Sequence, residues 1–175
     1  MPKMEARKHS AYEMVKILQR GIAGHLTLIS AAAGWGTSSE LTLYPVIGTI
    51  FNARGWKAKC QWDALDKEYP KGAPRSIDFV AQPFAETKPA LALEVKLIAS
   101  NSPGQSLKTE RDICKLKEFK IKNLGACAYL LIVGRKVDLE KKHILVGQQC
   151  VLLRERPAIV ADVGKTAWGS VAIRM

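Results

Sequence analysis

Cysteine and histidine are scarce in this chain of 175 residues, with four cysteines (Cys60, Cys114, Cys127, Cys150) and three histidines (His9, His25, His143). No two cysteines form a CxxC pair and no histidine stands at zinc-ligand spacing, which argues against a zinc module. Cys127 falls in an apolar strand-like run and Cys114 in a helical one, so both are expected as buried free thiols. A reducing cytoplasm follows as the expected compartment. Long apolar runs are also missing. The stretch from Ile22 to Gly34 is too short to span a bilayer and is interrupted by His25, Thr27 and Ser30. The amphipathic segment before it is a poor leader sequence, so a soluble, cytoplasmic protein with no membrane partner is expected. Repeats and low-complexity tracts are absent. Gly164-Lys165-Thr166 lacks the glycine that a phosphate-binding loop needs at position 159, where Ile159 stands, and its flanks are not strand–loop–helix.

Acidic residues are outnumbered. Lys and Arg total 27 against 16 Asp and Glu, a formal charge of +11. A field of that sign attracts polyanions, nucleic acid before anionic membrane. Apolar residues make up 47% of the chain, enough for one well-buried core and against global disorder. The length suits one domain spanning 1–175.

Periodicity places the elements. Residues 4–20 put Ala11, Met14, Val15 and Leu18 on one helical face, which Ile22 continues. Gly34 to Ser39 is a breaker, and Ser39 is placed to cap the helical pattern from Glu40 to Ala53. Glu40, Tyr44, Ile47 and Phe51 share one side of that helix, although Pro45 belongs in a first turn and delays the regular helix. Trp56–Trp62 reads as a strand and 63–74 as a polar loop. Residues 75–80 and 91–98 read as two strands joined across Pro83–Pro89 in a hairpin. A loop at 100–105 leads to a helix over 107–123, and the apolar run 126–133 suits a strand buried on both faces. From Gly134 onward short strands and turns are expected, a β-rich C-terminal extension over 134–175.

The residues that carry chemistry are acidic. Strand side chains alternate, so Leu91, Leu93, Val95 and Leu97 line one face while Glu94 and Lys96 share the other. A carboxylate and an ammonium on a largely apolar strand are costly unless solvated, bonded or used. With Asp78 on the adjacent strand, two carboxylates and a lysine converge, the equipment of a divalent-metal phosphodiesterase.

Glu40 on a first helix, Ile77-Asp78 on a second strand and Glu94-Val95-Lys96 on a third, in that order, resemble the PD-(D/E)XK nuclease superfamily. The resemblance covers about residues 39–133. It departs in having Ile77 where proline often stands, a frequent variation. It implies a restriction-endonuclease-like α-β-β-β-α-β core, a small mixed sheet flanked by helices. It also implies metal-dependent cleavage of nucleic acid, DNA rather than RNA, with endonuclease action expected. Asp78, Glu94 and the Val95 carbonyl would bind Mg²⁺ or Mn²⁺, hard cations that need few protein oxygens. Lys96 would orient the attacking water or stabilise developing negative charge, and Glu40 would hold a second ion or the first ion's waters.

On the helix after Lys96, the side chains of Lys108, Arg111, Lys115 and Lys122 fall within roughly a 60° arc, a stripe suited to phosphates. Asp112 and Lys115 lie near that helix's start and within reach of the site. Trp35, Trp56, Trp62 and Trp168 are dispersed and suit core packing better than base stacking. Two other readings stay open: a non-catalytic nucleic-acid-binding module, and a basic subunit docking an acidic protein. The oligomeric state stays open too, a homodimer being common among nucleases that cut both strands.

Overall fold

The computed structural model describes residues 9–33, 39–63, 76–98, 109–139, 143–146, 149–152 and 168–175. Helix α1 runs Ala11–Ala33. A 3-10 turn at Glu40–Leu43 leads into α2, Tyr44–Ala53. Strands β1 (Trp56–Asp63), β2 (Ser76–Pro83) and β3 (Leu91–Leu97) follow, then α3 (Glu110–Lys122) and β4 (Cys127–Arg135). A short α4 (Lys136–Leu139), the β5 (His143–Val146) and β6 (Gln149–Leu152) pair and β7 (Trp168–Arg174) complete the order.

Five strands form one mixed sheet in the order β1-β2-β3-β4-β7. The pairs β1/β2, β2/β3 and β4/β7 are antiparallel, whereas β3 and β4, joined through α3, are parallel. Helices cover both faces. On one, Met14, Leu18 and Leu26 of α1 and Ile47 and Phe51 of α2 pack on Phe79, Leu93, Val95 and Leu131. On the other, Ile113, Leu116 and Phe119 of α3 pack on Val80, Ala92, Leu130 and Ile132. Each fully buried Leu or Phe side chain contributes about 1.5–3 kcal/mol by its removal from water. The core lies on both sides of β3 and β4, which explains the uninterrupted apolar run of β4.

Three expectations need correction. The first helix does not stop near residue 20 but runs to Ala33, through the segment that read as a separate apolar stretch. It starts at a reciprocal cap: Glu13 N–H donates to Ser10 Oγ, and Ser10 N–H donates to the Glu13 carboxylate at 2.9 Å. Polar groups along the helix are held by β7. Trp168 Nε1–H donates to Ser30 Oγ at 3.2 Å, and the Gln19 and Ser170 side chains each bond the other residue's carbonyl. The C-terminal segment is thus no mere extension, because β7 completes the main sheet beside β4.

The thiols are the third correction. Cys60 and Cys114 are exposed and Cys127 only half-buried. Cys114 lies on the water-facing side of α3, away from the Ile113–Leu116 contact with the sheet.

Ser39 stands at the cap position before Glu40 without a side-chain cap; its carbonyl instead accepts from the Thr42 N–H and hydroxyl. Pro45 sits in the first turn of α2, where its missing N–H costs nothing. Glu40 is therefore carried on a tight turn just ahead of the regular helix. Calls on residues 4–8, 34–38, 64–75, 99–108, 140–142, 147–148 and 153–167 lie outside the described residues, Lys108 among them.

Candidate active site

The sheet opens where β2 and β3 part. Their ladder pairs Ala81 with Leu91, Val80 with Ala92 and Phe79 with Leu93, then stops. One step further Asp78 stands across from Glu94. The N–H groups of Val95 and Leu97, which would have bonded β2, find carboxylates instead. Val95 N–H donates to Asp78 Oδ2 at 2.8 Å, and Leu97 N–H to Glu40 Oε1 at 3.2 Å. Buried backbone donors need partners, so these carboxylates are part of the fork's construction.

The strands also roll over at this point. On β1, Trp56 and Ala58 face α1 and α2 while Trp62 faces α3; on β2, Phe79 faces α1 and α2 while Ile77 faces α3. Between them Gln61 adopts φ 51°, a left-handed conformation rare outside glycine, and the paired register skips Gln61 and Asp78. The irregularity frees Asp78 from the alternation of its strand. Its other oxygen, Oδ1, accepts the Tyr44 hydroxyl at 2.5 Å.

Glu94 and Lys96 share one face of β3, as the alternation predicts, but they are not each other's partners. Glu94, 1% exposed, has Lys115 Nζ at 2.6 Å from Oε1. Lys96 Nζ lies 2.9 Å from Asp112 Oδ2 and 3.9 Å from Glu40 Oε2. Asp112 holds both lysines, its other oxygen being 2.9 Å from Lys115. Lys115 also donates to the Ser76 carbonyl at 3.1 Å.

Glu40, Asp78, Glu94 and Lys96 are thus brought together, with Tyr44, Asp112 and Lys115 added. Tyr44 was legible only as the residue one turn after Glu40 on the same side. The basic stripe does not survive as one face. Lys115 is buried beneath α3, whereas Arg111 and Lys122 are exposed. Lys115 sits one turn before buried Phe119, at the border of the packed face, so its long stem can reach the sheet.

Burial and then the neighbouring Asp78 charge push the Glu94 carboxyl up to about 8, against the pull of Lys115. Burial likewise raises Glu40, opposed by Lys96 and the Leu97 N–H. For Lys96 and Lys115, burial works against the charge, but Asp112 with Glu40 and Glu94 with Asp112, respectively, outweigh it, so both are held above the usual lysine range. Burial and the bond to Asp78 carry the Tyr44 phenol well above its ordinary range, so it stays a donor.

A testable pH dependence follows. The fold favours protonated Glu94, so in metal-free buffer its contribution to stability is fully present below about pH 4.5 and is lost as pH rises to about 8. Glu94→Gln keeps the shape without the titration. Thermal melts across that window should show most of the slope lost, the raised Glu40 supplying the rest. At pH 8 to 9 the variant should be the more stable protein, by up to a few kcal/mol at about 1.4 kcal/mol per pKa unit. Parallel curves for parent and variant would contradict this account of Glu94.

Four carboxylates here face two ammonium groups, leaving two negative charges over when all are ionised. The donors are hard oxygens. Val95 offers its carbonyl on the same strand edge as the N–H that meets Asp78, beyond the end of the β2 ladder. That set suits a small divalent cation, which takes one or two carboxylates and keeps its waters. Among the described residues no group of three or more His, Cys, Asp or Glu side chains is placed so that it could hold a metal ion. No protein-family model matches this chain, and no curated protein or solved structure matches it either.

Proposed function

We propose that the protein is a metal-dependent nuclease of restriction-endonuclease-like fold that hydrolyses phosphodiester bonds, with DNA the expected substrate. The observation that carries the reading is the fork itself, where Asp78, Glu94 and Lys96 meet beside Glu40 at the parting of β2 and β3. Asp78, Glu94 and the Val95 carbonyl would hold Mg²⁺ or Mn²⁺, with Glu40 on its water shell or on a second ion. Such an ion, when bound, offsets phosphate charge and acts as a Lewis acid.

The remaining work falls to side chains. Tyr44 fixes one Asp78 oxygen and the Val95 N–H the other, so the carboxylate is oriented before any ligand arrives. Lys96, its side chain 22% exposed, keeps its ammonium beside Asp112, where it can meet the attacking water or the developing charge on phosphate. Asp112 restrains Lys96 and keeps Lys115 beside Glu94.

One observation favours a second reading. Lys115 and Lys96 already pair three of the carboxylates, so the cluster can be stable without an ion. A non-catalytic nucleic-acid-binding module would retain such a cluster for its structure. Incubation with circular and linear DNA in Mg²⁺, Mn²⁺ or EDTA separates the two. Cleavage that stops in EDTA supports the nuclease; salt-sensitive binding without cleavage in any metal supports the module.

A further inference from the structure

Strand β1 is the edge of the sheet, and the face it turns toward α3 is basic and open. Trp56 and Ala58 point to the opposite core, so Lys57 and Lys59, alternating with them, project on the α3 side, where both are exposed. After the roll at Gln61, Trp62 reaches the same side and is half-buried at the edge of the α3 core. Lys59 Nζ stands 4.9 Å from the centroid of its ring. Trp62 pairs with Ile77, the residue before Asp78, so this row ends at the candidate site.

Helix α3 walls the shelf. It packs over β4, β3 and β2, and two of its lysines fix its orientation. Lys120 donates to the Met175 carbonyl beyond β7, and Lys115 to the Ser76 carbonyl at the start of β2. The Lys115 flank therefore faces β2 and β1. Arg111, one turn before Lys115 on that flank, is exposed, and Glu118, one turn after Lys115, is the acidic residue on the same flank.

From this arrangement we infer that one strand of nucleic acid lies along β1, its phosphates on Lys57 and Lys59 and its path passing Trp62 toward Asp78. The inference rests on the nuclease reading and adds where the substrate runs. Charge decides the occupant. Before a cation binds, the site carries surplus negative charge that would repel a phosphate chain; the shelf supplies cations two strand spacings across and two to four residues along, roughly 12–16 Å away. A phosphate that draws Lys59 off the indole changes the surroundings of Trp62.

The test is binding of a fluorescein-labelled twelve-nucleotide DNA, single-stranded and duplex, in EDTA over a salt series. Lys57→Ala/Lys59→Ala should weaken binding roughly tenfold or more at low salt. It should also flatten the slope of log K against log salt by about 1.4 for the single strand or 1.8 for the duplex, as two phosphate contacts are lost. Lys16→Ala/Arg20→Ala, exposed on α1 across the sheet, is the control and should bind like the parent. Trp62→Phe should remove the tryptophan fluorescence change that DNA produces in the parent. Equal losses from both pairs, or a shelf variant that binds like the parent, overturn the shelf even where the parent cuts DNA in Mg²⁺. A parent that binds neither DNA overturns the shelf and the nuclease reading together.

Discussion

Asp78→Asn should abolish metal-dependent cleavage of DNA, by three or more orders of magnitude, while the protein stays folded. The geometry explains why both hold. Asparagine can turn its carbonyl oxygen to the Val95 N–H and its amide to the Tyr44 oxygen, since a phenol accepts as well as donates. The backbone donor at the fork keeps its partner, so a loss of only about 1 kcal/mol is expected. What disappears is the negative charge that a cation needs. Activity assays in Mg²⁺ and Mn²⁺, with a thermal melt of the same sample, check the claim. Undiminished cleavage by folded Asp78→Asn would remove Asp78 from the chemistry.

Lys96 should behave differently. Lys96→Met keeps the stem and removes the ammonium that stands 2.9 Å from Asp112 and 3.9 Å from Glu40. Asp112 retains Lys115, so the buried carboxylate is not orphaned and folding should survive. DNA and metal binding should stay close to those of the parent, whereas cleavage falls by roughly two or more orders of magnitude, the scale for a lost transition-state stabiliser. Single-turnover rates with saturating enzyme separate the two effects. A variant that cuts as fast as the parent would reduce Lys96 to a structural charge.

Much of the sheet could be read before any coordinates. Alternation from Leu91 to Ile98 assigned the two faces of β3, and the unbroken apolar run at 126–133 marked β4 as doubly covered. Both signals are local, because a strand's neighbours impose themselves on every second residue. The second half of α1 was hidden for the opposite reason. His25, Thr27 and Ser30 interrupt its apolar pattern locally, and the groups that satisfy part of it, on Trp168 and Ser170, lie some 140 residues away in sequence. The role of β7 was obscured likewise.

Within the site, residue type and spacing were enough to nominate Glu40, Asp78, Glu94 and Lys96. They could not say which charge meets which. A helical wheel placed Lys115 with Arg111 on one arc, but one residue at the edge of a packed face can turn inward while its neighbour meets water. That choice belongs to the buried Glu94, whose carboxylate draws the nearest ammonium. The left-handed Gln61 gave no sign in the sequence either, since no glycine or asparagine marks the roll that frees Asp78.

The central claim is that the fork between β2 and β3 is a divalent-cation site built on Asp78 and Glu94. Titration of Mn²⁺ into the nucleic-acid-free protein, read by the loss of free-ion paramagnetic resonance signal, tests it most directly. Saturable binding by the parent that is lost in both Asp78→Asn and Glu94→Gln is the predicted result; Mn²⁺ binding unchanged in the two folded variants, or absent from the parent, would contradict it.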